Sequence, residues 1–425
     1  MSWVRPVSPV FAASLLLACS DSGAPNPAAP PAAPASNSSP SFSSAASIAI
    51  DENALGVVYT LAAADADGAI VRLALVNTPD ATSFAFDSTT GELVLPARLA
   101  FASPSDFDGD NIYQLTFEAE DDDGAVSSLN VQVTITEAAL KASLPPSGNF
   151  ELIDWKLDLP VDSSGAFSGA SDTILENDLA NGYESDFFYT GPDGGLVMRS
   201  PVIGATTPNS SFARTELREM LRRGDASIST RGAGNIPNEN NWALSSQPAA
   251  AQSGAGGVDG TLSVTMSVNN VTTTGTSGQV GRLIIGQIHA KNDEPVRLYY
   301  RKLPSNTRGV IYAEHEIAGG ADIRFEILGD SSNNATDPVD GVSLNERFTY
   351  EIIANGNMLT VNIYNDARNL LGFADIDMSA SGYDVLDDFM YFKAGAYHVN
   401  NSADPAEFAQ VTIYELSNTH IGYPF

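Results

Sequence analysis

The sequence predicts an all-β protein: a β-jelly-roll, that is a two-sheet antiparallel sandwich, preceded by a smaller antiparallel β-sandwich. Three observations carry this. From residue 149 to 425 strand-like runs follow one another, among them "GTLSVTMSV", "GRLIIGQIHA", "VRLYYRKL", "GVIYAEHEI" and "FTYEIIANGNMLTVNIY", and no long helical period interrupts them. Residues 47–137 repeat the texture on a smaller scale, with alternating runs such as "YQLTFEAE" and "LNVQVTITE" set between Asp/Gly clusters. Around these blocks the composition shifts to Pro, Ala, Ser and Gly, which marks linkers. At 425 residues the chain is long enough for two cores.

In chain order the first element, residues 1–18, is a targeting segment. "MSWVRPVSPVFAASLLLACS" has one Arg, an apolar run from Val10 to Ala18, and then Cys19, the single cysteine of the chain. It resembles a bacterial lipoprotein signal with Leu16-Leu17-Ala18-Cys19 as the lipobox. The apolar run is too short to span a bilayer. The resemblance implies cleavage before Cys19, acylation of its thiol and a tether made of lipid. Ser20 stands where inner-membrane retention signals usually carry Asp, so the expected address is the cell envelope, as an outer-membrane lipoprotein, with secretion as the alternative. A lone cysteine also excludes an intrachain disulfide. Residues 19–46, mostly Pro, Ala and Ser, cannot bury enough apolar surface to offset ordering and read as a spacer.

The second element, 47–137, carries sixteen Asp and Glu against only Arg72 and Arg98. "IDEN", "AADADG", "FAFDSTTGEL", "DFDGDN" and "EAEDDDG" stand in the order of a cadherin-like module, which this block resembles, although the usual closing calcium motif of cadherins is missing. Carboxylates at Glu52, Asp65, Asp67, Asp106 and Asp108 are hard oxygen donors of the kind Ca²⁺ takes. Asp-Gly pairs are equally ordinary turn chemistry, and both readings stay open. The block shows no catalytic constellation; a spacer or adhesive role fits it.

Pro145, Pro146 and Gly148 close a second linker, 138–148, and the last element begins at 149. Within it "SFARTELREM" reads two ways. As a helix, Leu217, Met220 and Leu221 make an apolar stripe. As a strand, Arg214, Glu216 and Arg218 share one face. The surrounding strands favour the second reading over local helix propensity. The same parity argument gives Leu283, Ile285, Gln287 and His289 one face of "RLIIGQIHA", and Tyr391, Lys393 and Tyr397 one face of "FMYFKAGAY", with Gly395 leaving room between them. "NG" at Asn355-Gly356 marks a hairpin turn. If the three polar strands are neighbours, their faces line one groove. Singly, each piece has a plain reading: Gln287 and His289 as a hydrogen-bonded pair on a solvated face, and Arg214, Glu216 and Arg218 as an exposed charge ladder worth little to stability.

Together they do not. "RTELREM", "GQIH" and "YFKAGAY" resemble, in order, the three signature strands of polysaccharide lyase family 7, the alginate lyases, and "NFELIDWKLDLP" and "VTIYELSNTH" extend the resemblance over nearly all of 149–425. It implies β-elimination on alginate, a chain of 4-linked uronic acids. The C5 proton beside an ionised carboxylate is very weakly acidic, so a lyase must neutralise that carboxylate with preorganised donors. The resemblance gives this task to Arg214 and Gln287. It makes Tyr397 the proton donor to the leaving oxygen, and His289 a further neutraliser or the base. Arg218 and Lys393 would hold carboxylates of neighbouring sugars, and Glu216 would fix the two arginines. No metal or organic cofactor is expected for catalysis. Ile288, in the middle of Gln287-Ile288-His289, resembles members acting on guluronate-containing chains, and the family's habit is endo cleavage.

Two other classes use the same scaffold. A non-catalytic alginate-binding or adhesion lipoprotein would have no reason to keep a proton-transfer set. A jelly-roll glycoside hydrolase needs two acidic residues across the cleft, for which Glu314 and Glu316 are the nearest candidates. The formal net charge of −31 argues against nucleic acid as a partner. It also opposes a polyanionic substrate, but at seawater-like salt the Debye length falls to roughly 4–5 Å and only the local groove counts. The enzyme is expected to act as a monomer.

Overall fold

A computed structural model describes residues 36–423, with 53, 100, 102, 103 and 138 excepted. The expected signal segment with Cys19, and the first part of the expected spacer, lie outside the described residues. Among the described residues no helix is long and apolar enough to cross a membrane.

Among the described residues the regular structure is almost all strand; the α-helices there are single turns at Pro146–Asn149, Glu176–Ala180 and Ala249–Gln252. In the N-terminal block the strands Ile112–Asp121 and Val126–Thr136 form a hairpin. Burial alternates along Ile112–Asp121, which is the period of two that the sequence shows. They join Ile70–Leu75 and Ser47–Asp51 in a four-stranded sheet. Ser47–Asp51 runs parallel to its neighbour, a departure from the antiparallel pairing expected. A three-stranded sheet of Gly56–Thr60, Ala85–Asp87 and Glu92–Leu95 closes a core that includes Tyr113, Phe117, Val131, Val133 and Leu93.

The C-terminal block is a sandwich of a nine-stranded and an eight-stranded sheet, as the jelly-roll expectation requires. The first runs in the spatial order Thr173–Ile174, Trp155–Asp158, Arg214–Glu219, Tyr391–His398, Arg282–His289, Val296–Arg301, Arg308–Glu316 and Asp322–Leu328. Between the two sheets Trp155, Leu217, Phe392, Leu283 and Ile285 meet Leu262, Met266, Phe348, Tyr350 and Val411, an apolar contact that supplies most of the drive to fold.

Two local readings shift. The hairpin joining Arg347–Asn355 to Met358–Asn365 pairs Asn355 with Met358, so its two turn residues are Gly356 and Asn357, one position later than expected. Gly356, at φ 57°, takes the first central position, where such turns favour glycine. The second shift lies in "RLIIGQIHA", where the register slips between Ile284 and Gly286. Ile285 packs in the inter-sheet core, and a Cβ on Gly286 would stand 2.7 Å from the Tyr350 hydroxyl, so both residues face inward. Leu283 and Ile285 therefore belong to the core, and Ile284 takes the outer face beside Tyr397. Strict alternation fails at a β-bulge.

Candidate active site

The outer face of the nine-stranded sheet carries the polar residues. Arg214–Glu219 pairs with Tyr391–His398, setting Arg214 opposite Tyr397, Glu216 opposite Gly395 and Arg218 opposite Lys393. On its other side Tyr391–His398 pairs with Arg282–His289, setting Lys393 opposite Gln287 and Tyr391 opposite His289. The bulge restores Gln287 and His289 to the outer face although Leu283 and Ile285 point inward. Arg214, Arg218, Gln287, His289, Lys393 and Tyr397 all line one cavity of about 550 Å³.

Glu216 lies beneath that lining, 1% exposed. One of its oxygens accepts from Arg214 Nη1 at 2.9 Å and from Lys393 Nζ, and the other from Gln287 Nε2. It thus ties together one donor from each of three strands. Arg218, which the sequence reading gave to it, is held elsewhere: its guanidinium lies 3.9 Å over the Tyr391 ring and donates to Met220 Sδ at 3.4 Å. Gly395, opposite Glu216, has φ 140°, and a Cβ there would meet Met198 Cε in the inter-sheet core at 2.6 Å and the Thr215 carbonyl oxygen at 2.7 Å. Only glycine suits that backbone and that gap.

The field is strongly cationic for a buried surface. Burial pushes the Asp158 carboxyl up, but Lys156, Lys393 and Arg214 outweigh it and hold the group below the usual carboxylate range. Burial holds the Lys393 ammonium below the ordinary lysine range, against the pull of Glu216 and with the help of Arg214. His289 is pushed down to about 3 by burial and by the charges of Lys393, Arg218 and Arg214, so its ring is neutral. Its Nδ1 is 2.5 Å from the Ala290 carbonyl oxygen, which places the hydrogen on Nδ1 and leaves Nε2 with a lone pair. The ring stacks on Tyr391 at 5.0 Å.

At the other end of the face the Arg214 guanidinium carbon lies 3.6 Å over the Tyr397 ring, a cation–π contact that fixes the two side chains against each other. Ser210 Oγ is 3.0 Å from the Tyr397 hydroxyl and accepts from Arg214 Nη2 at 3.0 Å. Ser210, Asp158 and Glu294 are residues that sequence reasoning did not place, and Tyr391 is one it set on the face without a role. Lys156 and Asp158 share a parity in "DWKLDLP" and were findable that way; Ser210 and Glu294 come from loops, where parity has no force.

Glu314 is ion-paired to Arg324 at 2.6 Å and approached by Arg282 at 3.8 Å. Despite burial, those arginines hold its carboxyl below the ordinary range, the wrong direction for the protonated acid that glycoside hydrolysis requires. In the N-terminal block Asp106, Asp108 and Asp110 offer oxygens within 4.8 Å of one another. Glu52, Asp65 and Asp67 are not part of that group: Glu52 accepts from the Phe101 amide and Asp67 from that of Ser38. Asp106 itself accepts from the amides of Asp110 and Asn111, which is turn chemistry.

A jelly-roll whose outer face sets cations, a neutral imidazole and a phenol over one buried carboxylate belongs to the polysaccharide lyases. The family described as alginate lyase matches residues 150–420, and the chain belongs to it. An alginate lyase of Klebsiella pneumoniae is 46% identical over 292 residues, which are 66% of this chain and 93% of that protein. The crystal structure of the alginate lyase from the same organism superposes with a TM-score of 0.62 at 46% identity, covering 65% of this chain and 98% of that one. An alginate lyase of Pseudomonas aeruginosa gives 25% identity and a TM-score of 0.46, covering 63% and 99%.

Proposed function

We propose that the chain cuts alginate within its length by β-elimination, with guluronate-containing blocks preferred, and that the outer-face residues divide the work as follows. Arg214 and the second N–H of Gln287 bind the carboxylate of the sugar to be cut and stabilise the dianion that forms as C5 loses its proton. His289 Nε2, with its lone pair available, takes that proton. The C5–H pair becomes the C4=C5 double bond, the C4–O bond breaks, and Tyr397 gives its proton to the departing oxygen. Arg218 and Lys393 add positive charge for the carboxylates of neighbouring sugars.

The observation that carries this reading is the register itself. Three strands bring Arg214, Gln287, His289 and Tyr397 to one cavity, with Glu216 holding the donors in place. In guluronate the C5 proton and the C4 oxygen lie on opposite faces, so base and acid must be different groups, and His289 and Tyr397 stand on different strands. Ile288 lies in the core and acts only by setting the strand that carries Gln287 and His289. An anchor at Cys19, supported by the lipobox, would hold the lyase at the outer membrane.

The test follows initial rates on polyguluronate and polymannuronate block fractions, together with viscosity. Faster cutting of guluronate blocks, with viscosity falling well before end groups accumulate, is the expected result. Faster cutting of mannuronate blocks rejects the preference, and end groups rising in step with viscosity loss rejects internal cutting.

A further inference from the structure

We propose that Glu294 is a positioning residue for His289: its carboxyl shares a proton with the Nε2 atom, masking the base while Glu294 is protonated and releasing it when Glu294 ionises. The inference rests on the reading of His289 as the group that accepts the C5 proton.

Glu294 lies in the turn "AKNDEP" between Arg282–His289 and Val296–Arg301, and its Oε1 is 3.2 Å from His289 Nε2. With Nδ1 committed to the Ala290 carbonyl, the only His289 atom facing Glu294 carries a lone pair. A lone pair and a carboxylate oxygen at that distance repel unless a proton lies between them. The ring is neutral, so in the resting enzyme the proton belongs to the carboxyl, which donates to Nε2.

The turn is rigid enough to keep the two groups together. Ala290 N donates to the Asp293 carbonyl at 2.8 Å, Glu316 N to the Glu294 carbonyl at 3.2 Å, and Lys291 N to Asp388 at 2.9 Å. The surroundings supply the proton affinity. Burial and then a side-chain hydrogen bond with Glu316, on the neighbouring strand Arg308–Glu316, raise the Glu294 carboxyl to about 7, with Arg297 and Lys393 opposing. Arg297 is shared with Glu316 and Asp322, so it neutralises Glu294 only in part; its Nη1 stays 3.8 Å away. Lys291 is turned to Asp387 at 2.9 Å. The Tyr383 hydroxyl donates to the Glu316 carbonyl at 2.7 Å, and Tyr391 covers the His289 ring.

The consequence for turnover has a definite sign. Below neutrality the carboxyl occupies the Nε2 lone pair and the base is blocked. Above it the lone pair is free, and the imidazolium formed when His289 takes the C5 proton meets a carboxylate 3.2 Å away that stabilises it.

The chain has four histidines, few enough for ¹⁵N-histidine NMR to follow His289 directly, without substrate. The expected result is an Nδ1-protonated neutral ring whose Nε2 signal inflects near pH 7, the Glu294 range, and loses that inflection in Glu294→Gln. The paired kinetic result is a kcat/KM profile on polyguluronate with an acid limb near the same pH, absent in Glu294→Gln. In that variant the amide keeps donating to Nε2, so kcat falls about tenfold or more with KM little changed, and Glu294→Asp restores part of the limb. An Nε2 signal blind to the substitution, or a Glu294→Gln enzyme with the native rate and profile, overturns the proposal. His289→Asn tests the underlying reading by itself: full activity on polyguluronate in that variant removes the base role, whatever the Nε2 titration shows.

Discussion

Glu216 and Glu219 are three positions apart on one strand and equally buried, at 1% and 0% exposure, yet they serve opposite faces of the sheet. Glu216 points outward and accepts from Arg214, Gln287 and Lys393, all from its own sheet. Glu219 points inward and accepts from the Phe392 amide at 3.0 Å, the Trp242 indole at 2.9 Å and Asn418 at 2.7 Å, with His420 Nε2 at 2.8 Å. Apart from Phe392, those partners come from the strands of the other sheet, so Glu219 joins the two layers. A buried carboxylate is tolerated only when donors replace its water. On the inner face neutral groups and a histidine do so, leaving little excess field. On the outer face Arg214 and Lys393 share Glu216 while Arg218 and Lys156 line the same cavity beside Asp158, and the positive charge left over is what an anionic sugar would meet. The same residue type at the same burial is a joint in one place and the support of a binding field in the other.

The largest effect expected on the outer face is that of Tyr397→Phe, which removes the proposed proton donor and should lower kcat by about 10³-fold or more while alginate binding and the melting temperature change little. Equal losses of binding and rate would break the separation of roles. On the inner face Glu219→Ala should do the reverse. It leaves the Trp242, Phe392 and Asn418 donors without a partner and should cost about 3 kcal/mol in urea unfolding, with the rate per folded molecule close to native. A Glu219→Ala enzyme that is stable but inactive would erase the distinction.

Gly286→Ala sharpens it, because the bulge belongs to both faces. The added methyl lies 2.7 Å from the Tyr350 hydroxyl and should cost about 1–3 kcal/mol by overpacking, and it should slow turnover by displacing Gln287. Stability lost with no change in rate would mean that the bulge does not set the site. Ile288→Val removes one methylene from the core behind the same strand. About 1 kcal/mol is enough for a several-fold shift in block preference, read from the ratio of rates on the two block fractions, and an unchanged ratio would sever that residue from specificity. Smallest of all is the deletion of residues 1–140, which should leave a soluble lyase of native rate, since every outer-face residue lies downstream. A folded but inactive truncation would make the N-terminal block part of the site.

The outer face was legible in the sequence because parity along a strand is a short-range property: "RTELREM" and "YFKAGAY" alternate without interruption, so Arg214, Glu216, Arg218, Lys393 and Tyr397 emerge together. Parity failed where the backbone breaks it. The bulge at Ile285-Gly286 sends Leu283 and Ile285 inward, and nothing in "LIIGQ" except the glycine signals that. The partners of Glu216 were not legible, since which of two arginines reaches it depends on the aromatic ring each covers, Tyr397 for Arg214 and Tyr391 for Arg218. The parity of the strand puts Glu219 with Thr215 and Leu217 on the opposite face, but its partners were not legible, because they lie as far off in sequence as Asn418 and His420. Glu294 was invisible because it stands in a loop, where parity has no force, and its neighbour Glu316 comes from another strand.

The central claim is that Glu216 organises a cationic face which makes an uronate C5 proton removable. The direct test incubates the native enzyme and Glu216→Gln with alginate while the ultraviolet absorbance of the C4=C5 double bond and the number of chain breaks are followed together. The account predicts one unsaturated end per break in the native enzyme and a rate at least about 10²-fold lower in Glu216→Gln, with the variant still folded. Chain breaks without the double bond, or a Glu216→Gln enzyme that cuts as fast as the native one, would contradict it.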